Sequence, residues 1–493
     1  MFVSTIVMVL LTPYILERLG DERYGIYLII YPIMQYVVLM EMGLRGSVAR
    51  FTSKYISAND TLSLNRIVST TFVFCLLISL VVMTLSFLLG GFSTRFFNIS
   101  EQYHLQTMHL VLALGFVTVI SFLSYSFTGV IIGHNRYELQ NAGMLIQTVG
   151  RAALVVILFS LGWVSLSSWA WAMIVSSVLG LIFWIWSSCY IQKGLRLRWQ
   201  LVNKETVKEL FGFGMWNMIL QLSGFLVLSV NAVIIGKFLG TDKVPYYAIP
   251  FMLVTRLQSI VMGLTTTLRP HASSTLASGD KALLAKLLVV GTYVAAMITF
   301  PVGGVLLVMC KALFRVWLPV GYESSWVIYG VLMIAFFGSI TQSASHAILI
   351  GGGRIRGLAL VYLVATLASV GLGIAFVGYL GMGIVGAAIA LVIPRFISNC
   401  LFQTWYASSQ TGLRFIRYLS DSYTRPMLCS LPSVALGSLL VYLLPPGNLI
   451  YWVLEYILAL TPFAVLALAG VLDWPMREKI VARLVGLIGL KAK

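Results

Sequence analysis

The sequence predicts an all-α, polytopic membrane protein with about 14 transmembrane helices. These helices are expected to form two parallel six-helix repeats that make two lobes, followed by a C-terminal helix pair. The first observation is composition: of the 493 residues, 59% are hydrophobic and only 10% are charged, with a mean hydropathy of +0.94. Soluble proteins carry about 25% charged residues. The second is the recurrence of apolar runs along the whole chain, and the third is an internal repeat.

The apolar runs define fourteen spans, and only the first is clearly shorter than the roughly 20 residues that a bilayer requires. The predicted spans are 2–15, 24–44, 66–90, 108–131, 141–162, 166–191, 211–236, 245–268, 284–308, 324–349, 357–376, 382–405, 426–444 and 450–472. Span 7 begins near Phe211, which corresponds in the repeat to a position before Met1. We therefore expect the first helix to lack a turn or two at its start, unless it is a genuinely short helix.

The basic residues set the predicted orientation. An even number of spans places both termini on one side, and the loops on that side hold 23 of the 33 Lys and Arg residues. Seven lie in the opposite loops, namely Arg18, Arg23, Arg95, Lys237, Lys243, Lys311 and Arg315. Basic residues favour cytoplasmic loops, so both termini are predicted to be cytoplasmic. The net charge of +17 is then mainly a topology signal with some affinity for anionic membrane lipids, and no basic soluble module indicates nucleic-acid binding.

The repeat appears when the chain is shifted by 220 residues. Leu19–Gly20 then matches Leu239–Gly240, Tyr27 matches Tyr247, and Met42–Leu44 matches Met262–Leu264. Further matches without a gap are Ser53 with Ser273, Asp60 with Asp280 and Leu64 with Leu284. The predicted domains are an N-terminal lobe at 1–200, a C-terminal lobe at 201–408, and a helix pair with a basic tail at 409–493. Parallel repeats of this kind are typical of secondary transporters, whose substrate site lies near the membrane midplane between the repeats.

Three arginines lie near the middle of predicted spans: Arg151, Arg256 and Arg395. A charged residue at this depth costs at least about 2.5 kcal/mol and usually serves a function. Since acids are few inside the spans and guanidinium suits phosphate, we expect a central cavity for an anionic headgroup. The alternative is that each arginine bonds helix carbonyls or extends along a neighbouring helix.

Polar stripes extend the predicted cavity. Ser339, Gln342 and His346 follow helical spacing in span 10, where they repeat Ser121, Ser124 and Thr128 of span 4. The other predicted lining residues are Gln147 in span 5 and Asn217, Gln221 and Asn231 in span 7. Small polar residues also serve as contacts between membrane helices, so packing remains the alternative.

A second charged group is predicted at the cytoplasmic ends of spans 2 and 8. Glu41 and Arg45 are four residues apart, and Arg50, Arg269 and His271 join them by repeat symmetry. They are either a gate through which the headgroup enters or simply residues that set the topology.

Cysteine and histidine spacing indicates neither disulfides nor a metal site. The five cysteines are scattered in apolar segments, and the histidines show no ligand spacing. No cofactor is expected, and a coupling ion, H+ or Na+, stays open.

Four segments then resemble a known family: "LERLGDERYGIY", "MEMGLRGSVARFTSKY", "IIGKFLGTDKVPYYAI" and "GGGRIRGLAL". They are similar to the Wzx-type polysaccharide flippases of the MOP exporter superfamily, which includes MATE transporters and lipid II flippases. The resemblance runs over most of 5–405. It implies two helical lobes and a cationic cavity for an undecaprenyl-pyrophosphate-linked oligosaccharide. Relatives often carry Asp in place of Asn231, which weakens a proton-coupling role there.

The sequence therefore predicts a flippase of the inner membrane that moves a lipid-linked oligosaccharide outward by alternating access. Membrane lipids are expected partners, together with a polysaccharide polymerase and chain-length machinery. Two alternatives stay open. A MATE-like drug or cation antiporter should carry acids rather than three arginines at its centre. A membrane glycosyltransferase or polymerase should place paired catalytic residues on sizeable loops, which this sequence lacks, so an enzyme is not expected.

Overall fold

The computed structural model describes residues 2–38, 44–203, 230–351 and 355–467, and these residues contain helices and turns but no strands. The first seven helices are α1 (Phe2–Leu19), α2 (Asp21–Val38), α3 (Leu44–Ser57), α4 (Thr61–Phe96), α5 (His104–Gly133), α6 (Tyr137–Ser160) and α7 (Leu166–Ile191). After a helical stretch at 230–238 come α8 (Val244–Thr265), α9 (Leu268–Ala277), α10 (Lys281–Trp317), α11 (Trp326–Thr341), α12 (Ser343–Gly351), α13 (Ile355–Gly373), α14 (Gly383–Arg395), α15 (Thr404–Thr411), α16 (Phe415–Leu443) and α17 (Leu449–Leu466). Two π-helical segments, Ile374–Tyr379 and Phe396–Gln403, follow α13 and α14.

The predicted all-α, polytopic fold class is confirmed. Within the described residues, 11 helices are long and apolar enough to cross a membrane, and they correspond to eleven of the predicted spans. Predicted spans 1 and 2 coincide with α1 and α2, which have 18 residues each and are not among the eleven. Most of predicted span 7 lies outside the described residues, so the count of fourteen stays a prediction.

The repeat is visible in the local geometry at matched positions. Asp60 caps α4 by accepting a hydrogen bond from the Ser63 backbone N–H at 2.9 Å, and Asp280 caps α10 through the Leu283 N–H at 2.9 Å. Both caps begin unusually long helices, of 36 and 37 residues. Gly20 and its mate Gly240 both adopt positive φ, at 79° and 101°, a backbone conformation that favours glycine.

Two short helices, α3 and α9, were not anticipated from the sequence, which predicted only loops after spans 2 and 8. They occupy matching positions in the two repeats. α3 lies against α5 at two glycines: a Cβ at Gly129 would lie 2.4 Å from Val48, and one at Gly133 would lie 2.8 Å from Thr52. The small residues therefore allow this close helix contact.

The chain forms two compact units. The first comprises Met1–Ala248 and Ala359–Ala387, and the second comprises Ile249–Leu358 and Ala388–Lys493. The predicted domain boundaries stay a prediction.

Within the second unit, polar contacts tie α16 and α17 to α10, and the contact from α16 is the 2.7 Å hydrogen bond between the Tyr418 and Thr292 hydroxyls. The Trp452 indole N–H donates to the Met309 carbonyl at 3.1 Å, and the Tyr456 hydroxyl donates to the Val302 carbonyl at 2.8 Å. Bonds of this kind fix the rotation of a helix that otherwise packs through apolar contacts alone. The C-terminal helix pair is thus part of the packed body of this unit.

Candidate functional site

Arg395, at the end of α14 in the second unit, is the best-defined charged group inside a membrane-spanning helix. Its Nη2 donates to the Ser339 hydroxyl at 2.9 Å and to Oε1 of Gln258 at 3.4 Å. The Gln258 amide also donates to Ser339, at 3.3 Å. The guanidinium carbon lies 4.0 Å from the centroid of the Phe336 ring. We call Arg395, Ser339, Gln258 and Phe336 the Arg395 cluster.

The Arg395 cluster lowers the cost of placing a cation inside a span. The cation–π contact and the hydrogen bonds to Ser339 and Gln258 replace part of the hydration that the guanidinium loses. Arg395 itself is half-buried. The cluster therefore holds an oriented positive charge that can accept phosphate or carboxylate oxygens.

The backbone around Arg395 departs from a regular α-helix. Pro394 precedes it, and the π-helical segment Phe396–Gln403 follows it directly. Ser398 and Asn399 side chains donate to the Arg395 carbonyl, both at 3.2 Å. Wide π turns occur often at functional sites, and this one fixes the direction in which Arg395 leaves the helix.

Gln342, a member of the predicted polar stripe, forms hydrogen bonds with side chains of α16. Gln342 is 1% exposed; its amide donates to the Tyr423 hydroxyl at 2.8 Å and its Oε1 accepts from Tyr418 at 3.1 Å. Gln403 donates to the Gln342 carbonyl at 2.8 Å. These bonds join α11 and the start of α12 to α16. His346 is half-buried on α12, and substrate contacts for both Gln342 and His346 stay a prediction.

In the first unit, Arg151 and Gln147 lie on α6. Arg151 is half-buried and acts electrostatically on the Tyr27 hydroxyl of α2. Gln147 packs against Gly180 of α7, where a Cβ would lie 2.4 Å from it, and its amide reaches the Ser177 carbonyl at 3.4 Å. Gln147 thus contributes to the contact between α6 and α7, while Arg151 lies near Tyr27 of α2.

Asn231 of the first unit is 1% exposed and donates to the hydroxyl of Tyr247 at 3.0 Å. Its Oδ1 is buried and accepts no hydrogen bond from the described residues. The structure therefore places Asn231 in the packed interior of this unit.

Arg256 is half-buried on α8, two residues before Gln258, and residues two apart on a helix point in different directions. Its role in substrate binding stays a prediction. The structure thus brings together Arg395 and Ser339 among the predicted site residues. Gln258 and Phe336 were not predicted as site residues from the sequence. Phe336 precedes Ser339 by one helical turn, so the spacing alone places both on one face of the helix.

The predicted cytoplasmic gate is only partly described. Arg45 and Arg50 lie on α3, and Arg269 and His271 lie on α9, rather than at the ends of spans 2 and 8. Arg50 and His271 are exposed. Glu41, Asn217 and Gln221 lie outside the described residues, as do the side chains of Arg45 and Arg269.

Metal and disulfide chemistry have no support in the described part of the chain. No group of three or more His, Cys, Asp or Glu side chains could hold a metal ion there, and all five cysteines are free.

These features define a polytopic, all-helical membrane protein with an internal repeat. Two solved structures share this fold at 14% identity. One is an inward-facing multidrug resistance MATE family transporter of the MOP superfamily, with a TM-score of 0.72 over 83% of this chain and 94% of that one. The other is the lipid II flippase MurJ in an inward closed conformation, with a TM-score of 0.64 over 94% of this chain and 97% of that one.

The family model for polysaccharide biosynthesis proteins matches residues 1–276, and the chain belongs to this family. It is 22% identical over 428 residues to the uncharacterized membrane protein EpsK of Bacillus subtilis, covering 83% of this chain and 81% of that protein. It is 21% identical over 399 residues to a putative O-antigen transporter of Shigella flexneri, covering 80% of this chain and 91% of that protein. The family resemblance stated from the sequence motifs is confirmed.

Proposed function

We propose that this protein is a flippase that moves an undecaprenyl-pyrophosphate-linked oligosaccharide from the cytoplasmic to the periplasmic leaflet by alternating access. Its product would feed surface polysaccharide assembly. Membership of the polysaccharide biosynthesis family and similarity to a putative O-antigen transporter support the class of substrate. The observation that carries the proposal is the Arg395 cluster, which holds a cation inside a membrane-spanning segment.

The chemistry of the substrate explains why such a cation is needed. A pyrophosphate carries several negative charges, and moving it through a hydrocarbon layer without compensation is prohibitively costly. A guanidinium replaces lost water with two parallel N–H donors that match phosphate oxygens. Arg395 is the candidate contact for the pyrophosphate.

The charge of the site separates this proposal from a cation exporter. Among the described acids, Glu455 of α17 is the one that lies well inside a predicted span, and it is not part of the Arg395 cluster. A cation antiporter needs an acid that exchanges substrate for a proton or Na+. The arginines favour an anionic substrate. We place the protein in the inner membrane with both termini cytoplasmic; membrane lipids, a polymerase and chain-length machinery are its proposed partners.

The test is complementation of a strain that lacks this gene. Arg395→Ala should reduce surface polysaccharide by at least about tenfold, since loss of a charged hydrogen-bonding partner costs roughly 1.5–3 kcal/mol. Arg395→Lys should retain part of the activity because it keeps the charge but loses the planar donors.

Arg417→Ala is the matched control. This arginine lies near the start of α16, is 77% exposed and pairs with Asp421 at 3.7 Å. It should complement as well as the wild type. Full complementation by Arg395→Ala at equal membrane abundance would contradict the proposal.

A further inference from the structure

A group of aromatic side chains in the first unit is not used by the Arg395 cluster. Tyr24, Tyr27 and Tyr31 follow one face of α2, and Trp169 packs against them from the first turn of α7. The Tyr27 ring lies 4.0 Å from the Trp169 ring and 5.3 Å from the Tyr31 ring, measured between centroids. Tyr24 stacks on Trp169 at 6.1 Å with an interplanar angle of 7°. We call these four residues the aromatic group.

The aromatic group has a buried base and an accessible end. Tyr24 and Trp169 are each 4% exposed, whereas Tyr31 is 36% exposed and Tyr27 lies between them. The base is held in place because Ser165 caps α7, with its hydroxyl accepting from the Ser168 N–H at 3.1 Å. Packing explains Tyr24 and Trp169, but it does not explain an exposed tyrosine at the end of the series.

A charged side chain lies near the aromatic group. Arg151 of α6 is half-buried and acts electrostatically on the Tyr27 hydroxyl, and a guanidinium inside a span usually faces water or polar groups rather than acyl chains. Pro32 lacks an N–H, so the Leu28 carbonyl loses its usual helical donor one turn earlier, between Tyr27 and Tyr31. This edge of α2 therefore offers aromatic faces, a cationic donor and a carbonyl acceptor together.

This combination suits a carbohydrate. A pyranose ring has a C–H face with partial positive charge, which packs on the negative face of an aromatic ring, and a rim of hydroxyls that donate and accept hydrogen bonds. A cationic drug would also be attracted to tyrosine faces, but Arg151 beside them would repel it.

We propose that Tyr31 and Tyr27, backed by Trp169 and flanked by Arg151, form a sugar-stacking subsite for the glycan part of the transported lipid. The inference rests on the proposed flippase function and adds a glycan contact separate from the Arg395 cluster. It assigns Tyr31 to recognition of the sugar and leaves the pyrophosphate to arginine.

The experiment compares two probes in proteoliposomes containing the full-length protein. One probe is the lipid-linked oligosaccharide extracted from the source cells, and the other is undecaprenyl pyrophosphate without a glycan. The measured quantity is the initial rate at which each probe becomes accessible to a membrane-impermeant hydrolase. Tyr31→Leu should slow the glycan-bearing probe by about tenfold and change the rate of the glycan-free probe less than about twofold. Tyr31→Phe, which keeps the aromatic face, should retain most of the rate.

Tyr190→Leu is the matched control, because Tyr190 is 71% exposed on α7 and stacks on Trp186 at 5.7 Å at the far end of that helix from Trp169. It should transport both probes as the wild type does. The sugar-stacking subsite is overturned if Tyr31→Leu moves the glycan-bearing probe at the control rate, or if it slows both probes equally. If the wild-type protein moves neither probe, the flippase function itself fails, which is a different result from either of these.

Discussion

At the scale of single residues, Arg395 shows how a membrane protein retains a charge at depth. The cation–π contact with Phe336 and the hydrogen bonds with Ser339 and Gln258 lower the cost of burying the guanidinium and fix its direction. We regard Ser339 as a positioning residue, since it contacts Arg395 and also receives Gln258.

Removal of the Ser339 hydroxyl should misplace Arg395. We expect Ser339→Ala to reduce transport by at least about tenfold, since one hydrogen bond to a charged group is worth roughly 1.5–3 kcal/mol. Surface polysaccharide and the salt dependence of transport are the measurements, and a structural defect alone would not change the salt dependence. Ser121→Ala is the control, because Ser121 is the repeat mate and its hydroxyl bonds only the Val117 carbonyl of its own helix, at 2.9 Å, among its described contacts. Equal activity of both variants would contradict the positioning role.

We predicted Arg395 and Ser339 as separate site residues, because an arginine in an apolar span and a polar residue at helical spacing are both visible in the sequence. The structure places them in hydrogen-bond contact, and their role in substrate binding stays a prediction. The sequence could not show that the Gln342 side chain, three residues beyond Ser339, bonds to two tyrosines of α16. That outcome depends on Tyr418 and Tyr423, which approach from a helix about 80 residues away in sequence. The polar residues of one helix do not show which side chains a neighbouring helix places opposite them.

At the scale of elements, the duplicated aspartate caps explain why α4 and α10 begin where they do. Each carboxylate accepts the backbone N–H three residues later, which satisfies one of the unpaired donors at a helix start. Asn59 and Gly279, the residues before these caps, both adopt positive φ, at 54° and 73°. The same turn is therefore built twice from different residues.

Loss of these caps should destabilise both helices similarly. We expect Asp60→Ala and Asp280→Ala each to lower the melting temperature by about 2 °C, and the double variant to add the two effects. Asp60→Asn and Asp280→Asn should be near neutral, because asparagine also caps helices. Differential scanning fluorimetry of the purified variants measures the melting temperature. Equal melting temperatures for an alanine variant and its asparagine counterpart would refute the role of the cap.

The Asp60 cap should also depend on pH. Hydrogen bonds from the side chain and backbone of Ser63 hold the pKa of Asp60 below its usual 3.8. Since the folded-state pKa is the lower one, the cap stabilises the protein above pH 3.8 and loses this effect as pH falls through the folded pKa. The difference in melting temperature between the wild type and Asp60→Ala should therefore shrink in acid.

The positions of the spans could be predicted because apolar runs of about 20 residues nearly always form membrane-spanning helices. The short helices α3 and α9 were not, since their sequences are polar enough to read as loops. The π-helical segment after Arg395 could not be predicted either, because the hydrophobic pattern does not distinguish a π-helical turn from an α-helix. Pro394 was the one sign of an irregular backbone there.

At the scale of the whole molecule, the repeat and the charge distribution together define a topology that can be measured. Both termini should be cytoplasmic, with the loop between α4 and α5 outside and the loop after α7 inside. The test uses a variant lacking the five native cysteines, with a single cysteine placed at Glu101 or Lys193, both exposed in the structure.

In intact cells, a membrane-impermeant maleimide should label Glu101→Cys and leave Lys193→Cys unlabelled. After permeabilisation both should react, which is the control for accessibility. Labelling of Lys193→Cys in intact cells would invert the topology and with it the proposed direction of transport.

The most direct test of the central claim is the rate of lipid-linked oligosaccharide translocation by purified protein in proteoliposomes, compared between the wild type and Arg395→Ala. The account predicts measurable wild-type translocation that falls at least about tenfold in Arg395→Ala, while Arg417→Ala matches the wild type. Equal rates for the wild type, Arg395→Ala and empty liposomes would contradict a flippase that carries its anionic headgroup past Arg395.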